Sequence, residues 1–371
     1  MKRKKAKPPP RTLDELLALA KDHNERGELS ESEALYREAL ALSPGHVGVI
    51  TLLGLVMIDR DNAMGAIDLL ERARDAAPDF APVHLALGSA YAMTGNDDIA
   101  VSTMEIAIKL DSTGTLAFER LAKHHVRSGR TREAIGVLRR LLRRDPRNTD
   151  AQFMLEALTG EKRGDAPHEP RPGLVAELFD SYASTFDTHL AKLAYNVPRA
   201  LAEVIASIEA PPARGWTIVD LGCGTGLAGV EVREWARTLI GSDLSPRMIV
   251  RARERALYDE LYVEDLRATL ERVRDADLVV AADVLIYLAT LDTTFAACAA
   301  ALRPGGLLAF STEVGEGDDI ALQDTFRYRH SEAYIRRLAD AHGFAAERLE
   351  PTTLRMENDT PVRGILNVFR R

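Results

Sequence analysis

Only two cysteines, Cys223 and Cys298, occur among the 371 residues. Two thiols cannot supply a disulfide framework or a metal-ligand set. No HxxE-type or CxxC-type spacing offers ligands elsewhere, so no metal is expected. No apolar run approaches the roughly 20 residues of a membrane helix, and no apolar segment follows the basic start MKRKKAKPPP. Neither a membrane contact nor a secretory signal is therefore expected. Positive charge is in deficit: 48 Lys and Arg face 56 Asp and Glu, a net charge of −8. That balance argues against nucleic-acid binding through counterion release. These absences together suit a cytoplasmic protein. Residues 1–12 form a basic tail that reads as a solvated arm, with contact to an anionic partner as the alternative. What is present is a globular composition, 46% hydrophobic and 28% charged, and enough length for two domains.

The first half carries a period. Pro44 and Pro78 lie 34 residues apart, and Ser112 and Pro146 continue the step. Leu53-Gly54, Leu87-Gly88 and Leu121-Ala122 keep the same spacing, as do Ala66, Ala100 and Ala134. Gly27, Gly95 and Gly129 share another slot, with Asp61 in the remaining unit. Each unit reads as helix, turn, helix. Small residues let two helices approach, glycine permits a left-handed turn, and proline ends the second helix. The pattern resembles the tetratricopeptide repeat, in four units at about 13–46, 47–80, 81–114 and 115–148, with Thr149 to Leu158 as a closing helix. The resemblance implies an all-α solenoid over 13–160 that binds a protein or peptide segment on its concave face. The alternative is an array that only holds subunits together, as in a homodimer.

The polar, Pro- and Gly-containing stretch TGEKRGDAPHEPRPG marks a linker, 161–173. Helical sequence follows, broken at Asn196-Val197-Pro198. Tyr182 and Phe186, four residues apart, share a helix face beside Asp187, as core packing or as a lid.

From Trp216 onward strands alternate with helices, which implies crossover connections and a mostly parallel sheet. Ser245 and Pro246 open a helix as N-cap and first-turn residue. Ligands of such sheets bind outside the carboxyl ends of the strands, and the unusual residues sit there. Gly222, Gly224 and Gly226 follow the first strand, Asp243 ends the second, Asp265 follows the third and Asp283 lies at the fourth exit. A carboxylate at Asp243 suits ribose hydroxyls, and one at Asp265 suits an adenine amino group. A dinucleotide fingerprint requires Gly or Ala where Leu227 stands, and no Gly-Lys-Ser/Thr follows to form a phosphate loop. Asp220, just before the glycines, repels a pyrophosphate and suits an ammonium. The pattern therefore points to a cationic, phosphate-free nucleoside, S-adenosyl-L-methionine.

Residues 174–371 resemble class I S-adenosylmethionine-dependent methyltransferases through VDLGCGTG, GSDLSPRMI, YVEDL, ADVLIYL and LRPGG, in that order. With the repeats ahead, and with FDSYASTFD and RYRHSEAYI, the chain is similar to bacterial predicted methyltransferases that carry tetratricopeptide repeats. The resemblance implies a Rossmann-like α/β domain with a seven-stranded sheet whose last strand is antiparallel, VRGILNVFR being one of the final pair. It further implies that Asp220, Gly222, Gly224 and Gly226 surround the methionine moiety, that Asp243 and Leu244 hold ribose and adenine, that Asp265 and Leu266 meet the adenine edge, and that Tyr182 and Phe186 belong to a helical lid. Cys223 and Met248 read as core residues.

Methyl transfer needs an aligned nucleophile, exclusion of water and, for some acceptors, a base. Asp283, Tyr287 and His330 are the candidates. Tyr287 lies where it would line the methyl pocket, and His330 has the pKa range of a base. No NPPY-like motif follows the fourth strand, which lowers the case for nucleic-acid N-methylation. The expected activity is methyl transfer to a protein, a peptide or a protein-presented acceptor. The alternatives are a small-molecule O- or N-methyltransferase whose repeats only dimerise, and a cofactor-binding scaffold without turnover.

Overall fold

The computed structural model describes residues 11–111, 113–161, 169–314 and 319–371. The basic tail, except for its last two residues, Ser112 and the linker residues 162–168 lie outside the described residues. The chain divides into two compact units, residues 1–146 and 147–371.

The first unit is built of four helix pairs, as the 34-residue period predicts. They are α1 (Leu13–Glu25) with α2 (Leu29–Leu42), α3 (Val47–Asp59) with α4 (Ala63–Ala76), α5 (Ala81–Met93) with α6 (Asp97–Leu110), and α7 (Leu116–Arg127) with α8 (Thr131–Arg144). The small residues are required by the packing. A Cβ on Gly54 would lie 2.7 Å from Leu70, and one on Gly88 would lie 2.5 Å from Met104 Cγ. The turn slot is left-handed in every unit: φ is +74° at Gly27, +76° at Gly95, +67° at Gly129 and +61° at Asp61. The following N–H closes each turn onto the preceding helix, at Glu28 to His23, Asn62 to Met57, Asn96 to Tyr91 and Arg130 to His125. The first unit departs from the pattern where the others have Ala66, Ala100 and Ala134. Ser32 stands there, fully buried, and its hydroxyl donates to the Ala20 carbonyl at 2.8 Å.

The second unit opens with α9 (Thr149–Thr159). The sequence reading makes this the closing helix of the array, inside a domain ending at 160. By compactness it groups instead with residues 147–371. The Phe153 ring lies 6.1 Å from Phe326 and 6.2 Å from Tyr328, so its aromatic face belongs to that core. Next come α10 (Pro172–Tyr182), α11 (Phe186–Lys192) and α12 (Val197–Ile208).

The sheet then alternates with helices: β1 (Trp216–Leu221), α13 (Leu227–Val232), β2 (Ala236–Asp243), α14 (Pro246–Glu254), β3 (Glu260–Val263), α15 (Leu266–Arg272), β4 (Ala276–Ala281), α16 (Asp292–Ala301) and β5 (Leu302–Glu313). It closes with β6 (Ile320–Leu322), β7 (Tyr328–His330), α17 (Glu332–Ala341), β8 (Ala345–Glu357) and β9 (Thr360–Arg370). Strands β3-β2-β1-β4-β5 are parallel neighbours, and β9, which contains VRGILNVFR, runs antiparallel between β5 and β8. These seven strands are the expected set. The short pair β6–β7 adds two more, joined to the end of β5 where Glu313 pairs with Arg329.

Both faces of the sheet are buried, and the period of two divides them. Leu278 and Val280 of β4 face α12 with Leu201 and Ile205, while Val279 and Ala281 face α16 with Phe295. Helices on both faces leave the carboxyl ends of β1, β2, β4 and β5 as the place where side chains converge.

Candidate functional site

The turn after β1 bends sharply. Gly222, Gly224 and Gly226 all have positive φ, at +57°, +54° and +94°. At Gly222 a Cβ would also lie 2.6 Å from Val284 beyond β4, so bareness is required there twice over. The Cys223 N–H donates to the Ser242 carbonyl and the Gly226 N–H to the Cys223 carbonyl, each at 2.8 Å. Cys223 is buried in an apolar cluster and Met248 is fully buried, as expected of core residues.

Asp243, the last residue of β2, ties this loop down. One carboxylate oxygen accepts from the Gly224 N–H at 3.0 Å and the other from the Ser245 N–H at 2.8 Å. Burial raises its pKa to about 6, with the backbone donors opposing that shift. Asp220 is 1% exposed and accepts from the Tyr258 hydroxyl at 2.6 Å. Its pKa is pushed up to about 7, first by burial, while Tyr258 opposes and the neighbouring Asp243 adds to it. Two carboxylates that resist ionisation when buried side by side gain from a cationic, hydroxyl-rich ligand. Ser245 caps α14 by accepting from the Met248 N–H, as the sequence reading expects.

Asp265 caps α15 and holds Arg267, whose backbone N–H and Nε both bond its Oδ1 at 2.9 Å while Nη2 bonds Oδ2 at 3.2 Å. Burial raises its pKa, but the Arg267 bonds outweigh it and leave the group below the usual range. This acid is therefore already engaged at i+2, and only its remaining lone pairs are open to an amino group. Leu266 packs against the sheet core, and Leu244 is half-buried between Asp243 and the α14 cap.

Helices α10 and α11 meet this loop. A Cβ on Gly224 would lie 3.7 Å from the Phe186 ring. Phe186 packs edge-on to Phe179 at 6.1 Å, and Phe179 packs edge-on to Tyr287 at 5.3 Å. Tyr182 is exposed and stacks on His189. Asp187 accepts from the Thr225 hydroxyl at 2.5 Å and pairs with Arg255. Asp180 accepts from the Ser245 hydroxyl and the Arg247 N–H.

Asp283, at the β4 exit, has φ +56°, a strained value for aspartate. Ser311 donates to its Oδ1 at 2.6 Å and Arg355 to its Oδ2 at 2.8 Å. Arg355 also pairs with Glu313 and Glu357, and Arg327 bridges the same two glutamates. Burial raises the Asp283 pKa against the pull of Arg355 and Ser311. Burial likewise pushes the neighbouring Tyr287 phenol up to about 12. His330 lies elsewhere in the packing. It is 1% exposed, its Nε2 is 3.2 Å from the Ala289 carbonyl, and its ring stacks on Tyr334 at 5.8 Å. Burial lowers its pKa.

The structure thus gathers Asp220, the three glycines, Asp243 and Phe186 around one strand-end loop, with Asp265 at the end of β3, where the preceding Glu264 N–H donates to the Asp243 carbonyl, and Asp283 and Tyr287 at the β4 exit. Sequence reasoning missed Asp180, Thr225, Arg255, Tyr258 and Arg355. Asp180 lies inside FDSYASTFD, where its acid was the available signal. Arg355 lies on β8, 72 residues beyond Asp283, and no spacing rule marks it.

Residues 218–306 match the family described as a methyltransferase domain, and residues 119–155 match the tetratricopeptide repeat. The ubiquinone biosynthesis O-methyltransferase of Cereibacter sphaeroides is 32% identical over 126 residues, which is 33% of this chain and 51% of that protein. That of Agrobacterium fabrum is 30% identical over 105 residues, 27% of this chain and 42% of that protein. The chain thus spans about half the length of the curated relatives it matches. Among solved structures, magnesium protoporphyrin IX methyltransferase from Synechocystis PCC 6803 is similar at 19% identity and a TM-score of 0.40, over 54% of this chain and 96% of that one. A thermophilic tetratricopeptide repeat protein of Thermus thermophilus is similar at 23% identity and a TM-score of 0.38, over 41% of this chain and 84% of that one. The chain joins tetratricopeptide repeats to a methyltransferase domain.

Proposed function

We propose that this chain transfers a methyl group from S-adenosylmethionine to an acceptor presented by a protein or peptide. The observation that carries the cofactor reading is the Asp243 carboxylate, held at the end of β2 against the bare glycine loop by the Gly224 and Ser245 N–H groups. The donor set fits this cofactor. Asp243 suits the ribose hydroxyls, Leu244, Asp265 and Leu266 suit the adenine, and Asp220 with Gly222, Gly224 and Gly226 suits the methionine moiety. Tyr182 and Phe186 belong to the covering helices. The same carboxylates disfavour a pyrophosphate.

When bound, S-adenosylmethionine supplies an electrophilic methyl on a sulfonium. The chain's own part is to align the acceptor and exclude water. Phe186, Phe179 and Tyr287 form a continuous aromatic wall from the glycine loop to the β4 exit. Tyr287, with its pKa near 12, stays neutral and orients an acceptor by hydrogen bonding rather than deprotonating it. Asp283, locked between Ser311 and Arg355, shapes the strand exit. His330, buried on a carbonyl, supports the loop behind Tyr287. This arrangement favours an acceptor that arrives already nucleophilic.

The repeats are proposed to bind the acceptor-bearing segment on their concave face. A second reading has support from the names of the relatives: a small-molecule O-methyltransferase whose repeats join two copies. A third is a cofactor-binding scaffold that turns nothing over. Incubating the full chain with methyl-labelled cofactor and a cell lysate, then separating proteins from metabolites, tests all three. Label in protein supports the first reading, label in metabolites alone supports the second, and cofactor binding without label transfer leaves the scaffold.

A further inference from the structure

Two acids in the covering helices are bonded to opposite ends of one helix, in different ways. Asp180 of α10 engages the N-terminus of α14: it accepts from the hydroxyl of Ser245, which is fully buried, and from the Arg247 N–H. Asp187 of α11 engages the other end, where it pairs with Arg255, the C-cap residue of α14. Asp187 also accepts from Thr225 of the glycine loop, and Arg255 Nε donates to the Thr225 carbonyl at 2.6 Å. Three elements thus close a triangle over the loop. Thr225 is 3% exposed within it, whereas the side chains of Asp187 and Arg255 are 47% and 30% exposed.

We propose that Asp187, Thr225 and Arg255 form a latch that holds α11 on the glycine loop, and that the nucleoside site exchanges its occupant only when this latch opens. The inference rests on the cofactor reading above. Asp180 is the fixed end, because its partner is buried. Asp187 is the releasable end, because a half-exposed ion pair is weak and screened by salt. Between them lies the short turn at residues 183–185, between α10 and α11. Phe186, adjacent to Asp187, lies 3.7 Å from where a Cβ on Gly224 would stand, so release of Asp187 lifts the aromatic cover from the loop. The loop itself survives release, since Arg255 still holds the Thr225 carbonyl and Asp243 still holds the Gly224 N–H. Such closing motions commonly gate product release. Asp187 is a positioning residue in this account, with no contact to reacting atoms.

The test is stopped-flow measurement of S-adenosylhomocysteine release from the full chain, for the parent, Asp187→Asn and Asp187→Ala, at low and high salt. Asn keeps the acceptor for Thr225 and removes the charge, and Ala removes both. Release is expected to quicken about threefold or more in Asn and about tenfold or more in Ala. Raising salt is expected to quicken release in the parent and to leave Ala unchanged. Association is also expected to quicken, so the equilibrium affinity moves less than the off-rate does. Parent-like off-rates in both folded variants, with S-adenosylhomocysteine bound at equilibrium, overturn the latch alone. Absence of binding by the parent overturns the nucleoside reading and the latch with it.

Discussion

Replacing Asp243 by Asn perturbs the nucleoside site at one atom. The carboxylate offers about four lone-pair directions. The N–H groups of Gly224 and Ser245 take one on each oxygen and the Leu244 N–H draws on the same carboxylate, so the ribose diol is expected to share the lone pairs that remain. Asn keeps a single acceptor oxygen and turns an NH2 donor towards one of those backbone donors. One ribose bond is lost and the other loses its charge assistance. Bonds to charged groups contribute about 1.5–3 kcal/mol against about 0.5–1.5 kcal/mol for neutral ones. The expected loss is about 1.5–3 kcal/mol, or roughly 10- to 150-fold in affinity. The pH profile gives an independent check. The pKa of Asp243 is raised to about 6, so ligand affinity in the parent is expected to climb as pH rises through about 6 and the carboxylate ionises. The variant loses that segment and keeps the one due to Asp220, moved to lower pH because the Asp243 charge no longer helps to raise it. The sign for stability is opposite. An acid whose folded pKa is raised holds its proton better folded than unfolded, so each of these groups costs the ligand-free fold stability as pH rises from about 4 towards its folded pKa. Calorimetric titration with S-adenosylhomocysteine at pH 5 to 8, with circular dichroism as the folding check, reads both effects. A folded Asn variant within twofold of the parent at every pH refutes the ribose assignment.

Three further outcomes follow from the geometry. Asp61 holds a left-handed turn that glycine holds in the other three units, so Asp61→Gly is expected to stabilise the array by about 0.5–1 kcal/mol in chemical unfolding; a loss of stability contradicts the strain argument. His330→Asn is expected to cost about 1–3 kcal/mol of stability, because it disturbs a buried ring on the Ala289 carbonyl. Its pKa is lowered by burial, so its contribution to the parent is present above the unfolded histidine value near 6.5 and lost as pH falls below it. A 10²-fold fall in turnover with stability unchanged makes His330 a base instead. Residues 147–371 are expected to fold alone and bind cofactor within about threefold of the full chain, whereas residues 161–371, stripped of Phe153, are expected to melt at a lower temperature; equal melting removes α9 from that core.

Local and periodic features were the legible ones. The 34-residue step marked all four helix pairs, and even the exception, Asp61, obeyed the left-handed slot it occupies. Alternation of β-branched runs with helices located the parallel strands, and Ser245-Pro246 marked the start of α14. The glycines and Asp243 were legible because a strand end leaves few other uses for them. Contacts between distant segments were not. Asp187 meets Arg255 68 residues away, and Asp283 meets Arg355 72 residues away; no local propensity encodes either. The β6–β7 pair was hidden because three-residue strands carry no readable alternation. The burial of His330 was hidden for a related reason: a polar ring at a helix start reads as surface until the loop after Tyr287 covers it.

The most direct test of the central claim is calorimetric titration of the full chain, in parallel, with S-adenosylmethionine, S-adenosylhomocysteine and a nicotinamide dinucleotide. The two sulfur nucleosides are expected to bind with micromolar Kd, about −7 to −8 kcal/mol, and the dinucleotide not to bind, since buried Asp220 and Asp243 disfavour its phosphates. Binding of the dinucleotide at comparable affinity, or no heat from either sulfur nucleoside, contradicts the assignment of the glycine loop and its acids.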